Sequence, residues 1–246
     1  MTVVAIIQAR MGSTRLPGKV LSDLCGKSML ARVCDRVRRA RRIDRLVVAT
    51  TREAADQAVV EACDRLRVAC FRGSSHDVLD RYCRAARALG ADVVVRITAD
   101  CPLIDPEVVD RVVHAFLEHQ PDYASNTLRR TWPRGLDTEV ATCDALERAD
   151  REATETYART HVTPYLYRHG KRFRLFSVEG TEDFSDHRWT VDLPEDLEFV
   201  RAVYGHLGQP EQPECFSWRD VLQLLTRKPA LAEMNRHVRQ KQLAEG

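Results

Sequence analysis

The amino-acid sequence predicts an α/β fold of three layers, with a mostly parallel central sheet between two layers of helices. Short β-branched runs alternate with segments that carry apolar residues every three or four positions, in the order βαβαβαβα over residues 1–118. This alternation is typical of a parallel sheet whose connecting helices pack on both of its faces. The 246 residues, 44% of them hydrophobic, are also enough to bury a large core.

The elements of the first half each have a local signal. Strands are predicted where apolar and β-branched residues follow one another, at 3–7, 46–50, 68–71 and 92–98. Helices are predicted where apolar residues form one stripe, at 27–40, 54–66, 77–89 and 107–118. Asp105 and Pro106 immediately precede the last helix, and this pair is typical of an N-cap followed by a first-turn proline.

The pattern changes after Pro121, where the predicted elements become shorter. Strands are expected at 122–126, 136–142, 173–178 and 189–191. Helices are expected at 143–150 and 156–167, from Pro194 onward, and after Ser217 and Pro229. We interpret 1–246 as one domain with a first half at 1–118, a second half at 119–190, and a returning strand with C-terminal helices at 191–246.

Charge and cysteine content argue against several classes of protein. The formal net charge is only +2, which gives no indication of a nucleic-acid partner. The eight cysteines form no CxxC pair and have no histidine at zinc-binding spacing. The sequence shows no signal segment and no run of 18 apolar residues. These features predict a cytoplasmic protein with reduced thiols, no membrane association and no nucleic-acid binding.

The segment QARMGSTRLPGKVL, directly after the first predicted strand, is a glycine-containing basic loop. It is not the P-loop of NTPases, because five residues separate its two glycines and Val20 follows Lys19 where a magnesium-binding hydroxyl is required. Gly12 still allows close approach to an anion, and Arg10 and Arg15 add positive charge. Open α/β sheets bind ligands at such strand ends, so the loop predicts a phosphate site. An ordinary basic surface loop is the alternative.

Two aspartates stand at the ends of predicted strands. Asp100 lies in TADCPLID and Asp192 ends the segment RWTVD. Mg²⁺ takes hard oxygen ligands and usually binds through one or two carboxylates plus substrate phosphates. Two strand-end carboxylates beside a basic loop therefore predict a magnesium nucleotide site. The alternatives are a turn aspartate for Asp100 and an N-cap before Pro194 for Asp192, while Asp105 is interpreted only as a cap.

Six motifs in this order resemble a known family. They are QARMGSTRLPGKVL, DVLDRY, TADCPLID, RGLDTEV, HVTPYLYRHG and HRWTVDLPEDLEFVR. Together they span about residues 3–203 and resemble the spore coat polysaccharide biosynthesis cytidylyltransferases, relatives of the CMP-KDO and CMP-sialate synthetases. The resemblance implies a Rossmann-like, GT-A-like nucleotidyltransferase fold with CTP as donor, Mg²⁺ as cofactor and a homodimer. It makes 1–118 the nucleotide-binding half and 119–190 the acceptor-binding and dimerisation half.

The resemblance also implies roles for individual residues. The catalytic set is Arg10, Lys19, Asp100 and Asp192, of which the two aspartates bind the metal. The nucleotide-binding residues are Ala9, Arg10, Met11, Gly12, Ser13, Arg15, Lys19, Gly73, Ser75, Asp77, Arg81 and Thr98. Where the CMP-KDO synthetases have a GDEP-like segment, this chain has ADCP, so Cys101 replaces an acidic neighbour. The acceptor of the CMP-KDO synthetases is therefore not assigned to this protein.

Polar residues of the second half are candidates for binding the acceptor. They are Asn126, Arg134, Asp137, Glu139, His161, His187 and Arg188. Either Arg134 or Arg188 can bind a carboxylate bidentately, and Asp137 and Glu139, which share one strand face, can receive sugar hydroxyls. A solvated strand face and an ordinary helix histidine at position 161 are the alternatives.

The resemblance, together with these residues, implies attack of an acceptor oxygen on the α-phosphorus of CTP, with release of pyrophosphate. The partners are CTP and a small acceptor, such as a sugar, a sugar acid or a phosphonate. Three alternatives stay open: a sugar-1-phosphate or phosphonate nucleotidyltransferase, a GT-A glycosyltransferase, and a catalytically inactive nucleotide-binding subunit. A glycosyltransferase typically carries a DxD metal motif, and DLPED has the wrong spacing for it.

Overall fold

A computed structural model describes residues 1–208 and 215–239, so part of the predicted 191–246 segment lies outside the described residues. The strands are β1 Val3–Gln8, β2 Asp23–Leu24, β3 Lys27–Ser28, β4 Arg45–Thr51, β5 Ala69–Gly73, β6 Val93–Thr98, β7 Tyr123–Ser125, β8 Glu139–Thr142 and β9 Leu175–Ser177. The helices are α1 Met29–Val37, α2 Gln57–Leu66, α3 Val78–Ala88, α4 Pro106–His119, α5 Cys143–Glu152, α6 Thr156–His161, α7 Pro164–Arg168, α8 Pro194–Leu207, α9 Trp218–Arg227 and α10 Pro229–Glu233.

Seven strands form one twisted sheet in the order β5-β4-β1-β6-β8-β7-β9. The pairings among β5, β4, β1 and β6 are parallel, as is the pairing of β7 with β9. Strand β8 runs antiparallel to both of its neighbours, β6 and β7. The prediction of an α/β fold with a mostly parallel central sheet is confirmed, and the antiparallel strand belongs to the second half.

The buried side chains of β1 alternate between two helix layers, as the two-residue period of a strand requires. Val3, Ala5 and Ile7 pack in the core that contains α1, α2 and α4. Val4 and Ile6 pack on the opposite face, in the core that contains α3, α5, α6 and α7. This alternation produces the three layers that the sequence predicts. Within the described residues, no helix is both long enough and apolar enough to cross a membrane.

The predicted helix at 27–40 is wrong at its beginning, where a small hairpin precedes it. Cys25 and Gly26 both have positive φ, at 54° and 86°, and connect β2 to the antiparallel β3. A two-residue turn of this kind requires left-handed conformations at both positions. Ser28 then caps α1 by accepting a hydrogen bond from the backbone N–H of Ala31, so the helix begins at Met29.

The predicted helix at 156–167 is divided into α6 and α7. A continuous helix needs the N–H of residue 164 as a donor, and Pro164 has none. Instead Val162 has φ 75° and ψ −61°, and Pro164 begins the second helix. The reversed backbone at Val162 turns the chain between the two short helices.

Residues 189–191 do not form the predicted returning strand. Only the pair Arg134 and Arg188 makes a β-bridge there. The N–H of Val191 donates to the carbonyl of Asp100 at 2.8 Å, while the carbonyl of Val191 accepts from Lys19 Nζ at 2.7 Å. The backbone groups that would build a strand are therefore used to join this segment to the end of β6.

Candidate active site

Lys19 joins two carboxylates that lie far apart in the sequence. Its Nζ atom is 2.8 Å from Oδ2 of Asp100 and 3.0 Å from Oδ1 of Asp192. Asp100 follows the end of β6, and Asp192 precedes α8. The hydrogen bond from Val191 to Asp100 brings these two chain segments together at the carboxyl end of the parallel strands. The structure therefore assembles the predicted pair of carboxylates around one cation.

Asp192 is surrounded by positive charge. Besides Lys19, Oδ1 of Asp192 contacts Nη2 of Arg15 at 2.8 Å, and Oδ2 contacts Nη2 of Arg188 at 2.9 Å. Burial opposes ionisation of this carboxyl, but Lys19 and Arg15 outweigh it and hold the pKa of Asp192 below its ordinary value. Asp192 does not cap α8, because Leu193 occupies the N-cap position.

The charge of Lys19 is maintained in a buried position. Burial alone would lower the pKa of the ammonium, but Asp100 and Asp192 raise it above its ordinary value. Lys19 begins a 3-10 turn, and the preceding Gly18 has φ 71°, a left-handed conformation that glycine adopts without strain. This geometry directs the side chain of Lys19 under the loop and toward the two carboxylates.

A carboxylate that was not predicted from the sequence holds the basic loop after β1 in place. The buried Asp56 accepts a hydrogen bond from the N–H of Met11 at 2.6 Å and another from the hydroxyl of Thr51. The carbonyl of Met11 accepts from the N–H groups of Ser13 and Gly18. Asp56 therefore fixes the curvature of the loop, and its position in the 3-10 turn that follows β4 gave no local sign of this role.

The remaining predicted loop residues differ in exposure. Ala9 is buried where β1 ends, and its N–H donates to the carbonyl of Ala49. Arg10 and Gly12 are exposed. Within the part of the chain that the structure describes, the N–H group of Gly12 has no hydrogen-bond partner. A free N–H at an unobstructed glycine, flanked by an exposed arginine, can receive a phosphate oxygen.

The predicted nucleotide contacts near α3 are partly engaged within the protein. Asp77 caps α3 by accepting from the N–H of Asp80 at 2.9 Å, and its other oxygen is bound by Arg159. Arg81 is 1% exposed and donates to the carbonyl of Ser74. A Cβ on Gly73 would lie 2.7 Å from Cγ of Arg81, so the absence of a side chain at Gly73 makes room for this arginine.

Ser75 and Thr98 are two further residues that are predicted to bind the nucleotide. Ser75 is half-buried in the turn before α3. Thr98 ends β6, and its hydroxyl is 3.3 Å from Sγ of Cys101. Burial raises the pKa of the Cys101 thiol, so this residue is neutral beside Asp100. Cys101 thus supplies no charge where the CMP-KDO synthetases have an acidic neighbour.

Two predicted acceptor residues already have partners in the protein. Asn126 uses both ends of its amide, donating to the carbonyl of Leu136 and accepting from the N–H of Thr138, each at 2.8 Å. Asp137 pairs bidentately with Arg130 at 2.6 and 2.8 Å. These contacts shape the loop before β8 and leave little of Asn126 or Asp137 free for a ligand.

Glu139 is the centre of a buried polar cluster. One oxygen accepts from the hydroxyls of Tyr123 at 2.6 Å and Thr163 at 2.5 Å, and the other pairs with Arg96. Nearby, Nε2 of His161 is buried without a hydrogen-bond partner among the described residues. Burial, and then the charge of Arg96, lower the pKa of His161. His161 therefore offers a neutral ring nitrogen that is not engaged by the protein.

Arg134, His187 and Arg188 line a cavity of about 420 Å³ together with the C-terminal segment. Arg188 is occupied by Asp192 and Asp196. Burial lowers the pKa of His187, which favours its neutral form. Among the residues that the structure describes, the half-buried Arg134 guanidinium has no ion pair. Of the two arginines predicted to bind a carboxylate, Arg134 is the one that is available.

The chemistry of Asp100 and Asp192 fits a magnesium site in which the protein supplies only two ligands. Among the described residues, no group of three or more His, Cys, Asp or Glu side chains is arranged to hold a metal ion. Mg²⁺ nevertheless binds through one or two carboxylates when substrate phosphates and water complete its octahedron. The Lys19 ammonium contacts Asp100 and Asp192 at once, so both carboxylates are within reach of one cation.

Comparisons with known proteins identify the family of the chain. Residues 4–219 match the family of cytidylyltransferases. SpsF of Bacillus subtilis, a spore coat polysaccharide biosynthesis protein, is 35% identical over 94% of this chain and 96% of its own length. A 3-deoxy-manno-octulosonate cytidylyltransferase of Trichlorobacter lovleyi is 37% identical over 52% of this chain and 50% of its own. The structure of a cytidylyltransferase from Leptospira borgpetersenii has a TM-score of 0.90 and 33% identity, covering 98% of this chain and 100% of that one. The chain thus belongs to the cytidylyltransferase family.

Proposed function

We propose that the protein transfers CMP from CTP to a sugar, sugar acid or related small acceptor, in a magnesium-dependent reaction that releases pyrophosphate. The observation that carries this proposal is the position of the Lys19 ammonium, which contacts carboxylate oxygens of Asp100 and Asp192 at 2.8 and 3.0 Å. Since one cation contacts both carboxylates, a divalent cation in the same place would draw both oxygens in to about 2.0–2.1 Å. Family membership supplies cytidylyl transfer as the chemistry.

In the proposed reaction, an acceptor oxygen attacks the α-phosphorus of CTP in line, and pyrophosphate leaves. Bound Mg²⁺ would neutralise phosphate charge and lower the pKa of the acceptor hydroxyl. Arg10, Arg15 and Lys19 bind the triphosphate and stabilise the negative charge that accumulates on the leaving group. The side chains do little covalent chemistry, because positioning and charge neutralisation carry most of the rate in such transfers.

Lys19 has two roles in this proposal. Its ammonium keeps Asp100 and Asp192 together before the nucleotide binds, which prevents two close carboxylates from repelling one another. Its flexible four-carbon stem lies under the basic loop, so the ammonium can move from the carboxylates to the phosphates. Arg188 remains on the second oxygen of Asp192 and keeps that carboxylate oriented.

The environment of the Arg134 guanidinium favours an acceptor that carries a negative charge. Burial, and then the nearby charge of Arg130, lower the pKa of the Arg134 guanidinium. Both effects are relieved when a carboxylate pairs with it. A sugar acid therefore fits the second half better than a neutral sugar does.

The proposal is tested by supplying CTP and Mg²⁺ with a panel of sugar acids, sugar phosphates and phosphonates. Mass spectrometry detects CMP adducts, and a pyrophosphate assay run with each nucleoside triphosphate in turn measures the preference for CTP. The expected result is a CMP adduct with a sugar acid. Binding of CTP by calorimetry without any adduct or pyrophosphate would instead identify a catalytically inactive nucleotide-binding subunit.

The assembly and location of the protein remain predictions. We propose a homodimer in the cytoplasm that binds neither membrane nor nucleic acid. Light scattering coupled to size-exclusion chromatography tests the dimer, since the chain mass is 28.0 kDa. A mass of one chain at micromolar concentration would exclude a stable dimer.

A further inference from the structure

The segment after α10 packs behind the candidate active site. Asn235 is 3% exposed, although the following residues Arg236 and His237 are exposed. The side-chain amide of Asn235 donates two hydrogen bonds of 2.9 Å, one to the backbone carbonyl of Arg188 and one to Oδ1 of Asp196. Burying an amide is costly unless it is hydrogen-bonded, so these two contacts fix the segment in place.

Asp196 transmits this contact to Asp192. It is fully buried, and its Oδ2 accepts from the N–H groups of Asp192 at 2.9 Å and Leu193 at 3.0 Å. It also pairs with Nε of Arg188 at 2.9 Å. Arg188 in turn contacts Oδ2 of Asp192 at 2.9 Å. The backbone of Asp192 is thus held by the Asp196 carboxylate, which Asn235 contacts directly, and the carboxylate of Asp192 is held by Arg188, whose backbone carbonyl Asn235 contacts.

We infer that Asn235 is a positioning residue that sets the orientation of Asp192 through Asp196 and Arg188. Without the amide, the buried Asp196 loses a donor, and the carbonyl of Arg188 loses its contact with the C-terminal segment. Asp196 then shifts relative to the Arg188 guanidinium and the backbone of Asp192, and the Asp192 carboxylate shifts with them. The inference rests on the proposed function, in which Asp192 binds the metal nucleotide.

The decisive variant is Asn235→Leu, which has a similar shape and no hydrogen-bond donor. Loss of a group that orients a metal ligand typically costs about 10- to 100-fold in metal affinity or activity. We expect Mn²⁺, used as a paramagnetic probe with CTP present, to bind about tenfold more weakly, and kcat to fall by about the same factor. His237→Ala is the control, because His237 is exposed on the same segment and does not line the cavity that contains Arg134.

A double variant separates positioning from general destabilisation. If Asn235 acts through Asp192, then Asn235→Leu added to Asp192→Asn produces no further loss in Mn²⁺ affinity, because coupled effects are not additive. Additive losses, or wild-type Mn²⁺ binding in Asn235→Leu, would overturn the inference while leaving the role of Asp192 intact. Wild-type binding and turnover in Asp192→Asn would overturn the proposed function and this inference with it. If Asn235→Leu does not fold, Asn235→Ser retains a shorter donor and is subject to the same comparison.

Discussion

Gly135 lies against the backbone of Trp189, so that a Cβ on Gly135 would be 2.7 Å from the carbonyl carbon of Trp189. Gly135 also has φ 111°, which other residues adopt only with strain. This close approach places the segment that carries Arg188 and Asp192 beside the loop that carries Arg134. The absence of one side chain at Gly135 therefore helps to build the active site.

Replacement of this glycine should destabilise the fold. We expect Gly135→Ala to reduce the free energy of unfolding by at least about 2 kcal/mol, because both the backbone strain and the contact with Trp189 must be relieved. Urea unfolding followed by circular dichroism measures it. The control is Gly205→Ala in α8, where an added Cβ would meet no atom of the described residues outside the helix's own backbone within 4 Å and a gain of about 0.5–1 kcal/mol is expected. Equal effects of the two substitutions would contradict the prediction.

Lys19→Met should make stability depend on magnesium. The substitution leaves Asp100 and Asp192 close together without the cation between them, which costs about 3 kcal/mol for a largely buried group. In EDTA we expect a marked fall in Tm, and added Mg²⁺ should raise the Tm of the variant more than that of the wild type. Lys27→Met removes an exposed pair with Asp35 and should change little. If the Tm of Lys19→Met does not change when Mg²⁺ is added, that result would argue against a cation position shared by Asp100 and Asp192.

Asp100→Asn should abolish most of the activity while preserving the fold. Loss of a metal ligand removes several kcal/mol of transition-state stabilisation, on the order of a thousandfold in rate. Pyrophosphate release from CTP, measured with the acceptor found in the screen, reports this loss. Asp144→Asn is a suitable control, because Asp144 is exposed at the beginning of α5. Near-wild-type rates in Asp100→Asn would remove Asp100 from the metal site.

Arg134→Gln should weaken acceptor binding without affecting the nucleotide. The free guanidinium is the proposed partner of an acceptor carboxylate, and a charged hydrogen-bonded pair contributes about 1.5–3 kcal/mol. We expect KM for a sugar acid to rise at least about tenfold, and KM for CTP to stay within about twofold. Arg129→Gln, at an exposed position nearby, should change neither value. A rise in KM for CTP alone would assign Arg134 to the nucleotide.

His161 should make the fold sensitive to mild acid. Burial and the charge of Arg96 lower its pKa, so the folded protein keeps the ring neutral where the unfolded chain binds a proton. Below about pH 6.5 the unfolded state therefore gains protons first, and stability falls as pH decreases. Relative to wild type, His161→Gln should become more stable between about pH 6.5 and 5, measured by thermal unfolding. His76→Gln, at an exposed position, should show no such trend.

Much of the fold was predictable because its signals are local. The alternating side chains of β1 assign its two buried faces, and Asp105 caps α4 as predicted, accepting from the N–H groups of Glu107 and Val108. Asp105 also binds the N–H of Trp218, a contact 113 residues away that no local pattern indicates. The break at Val162 was missed because an apolar stripe continues through it, although Pro164 carried the relevant signal.

The sequence by itself determined the parallel sheet, the basic loop and the candidacy of Asp100, Asp192 and Lys19, because periodicity, glycine and charge act over a few residues. Only the tertiary structure decided that Lys19 contacts Asp192 across 173 positions and that, among the described residues, Arg188 has ion-pair partners while Arg134 has none. It also decided the role of Asn235. Such relationships depend on how distant segments pack, and no local pattern contains that information.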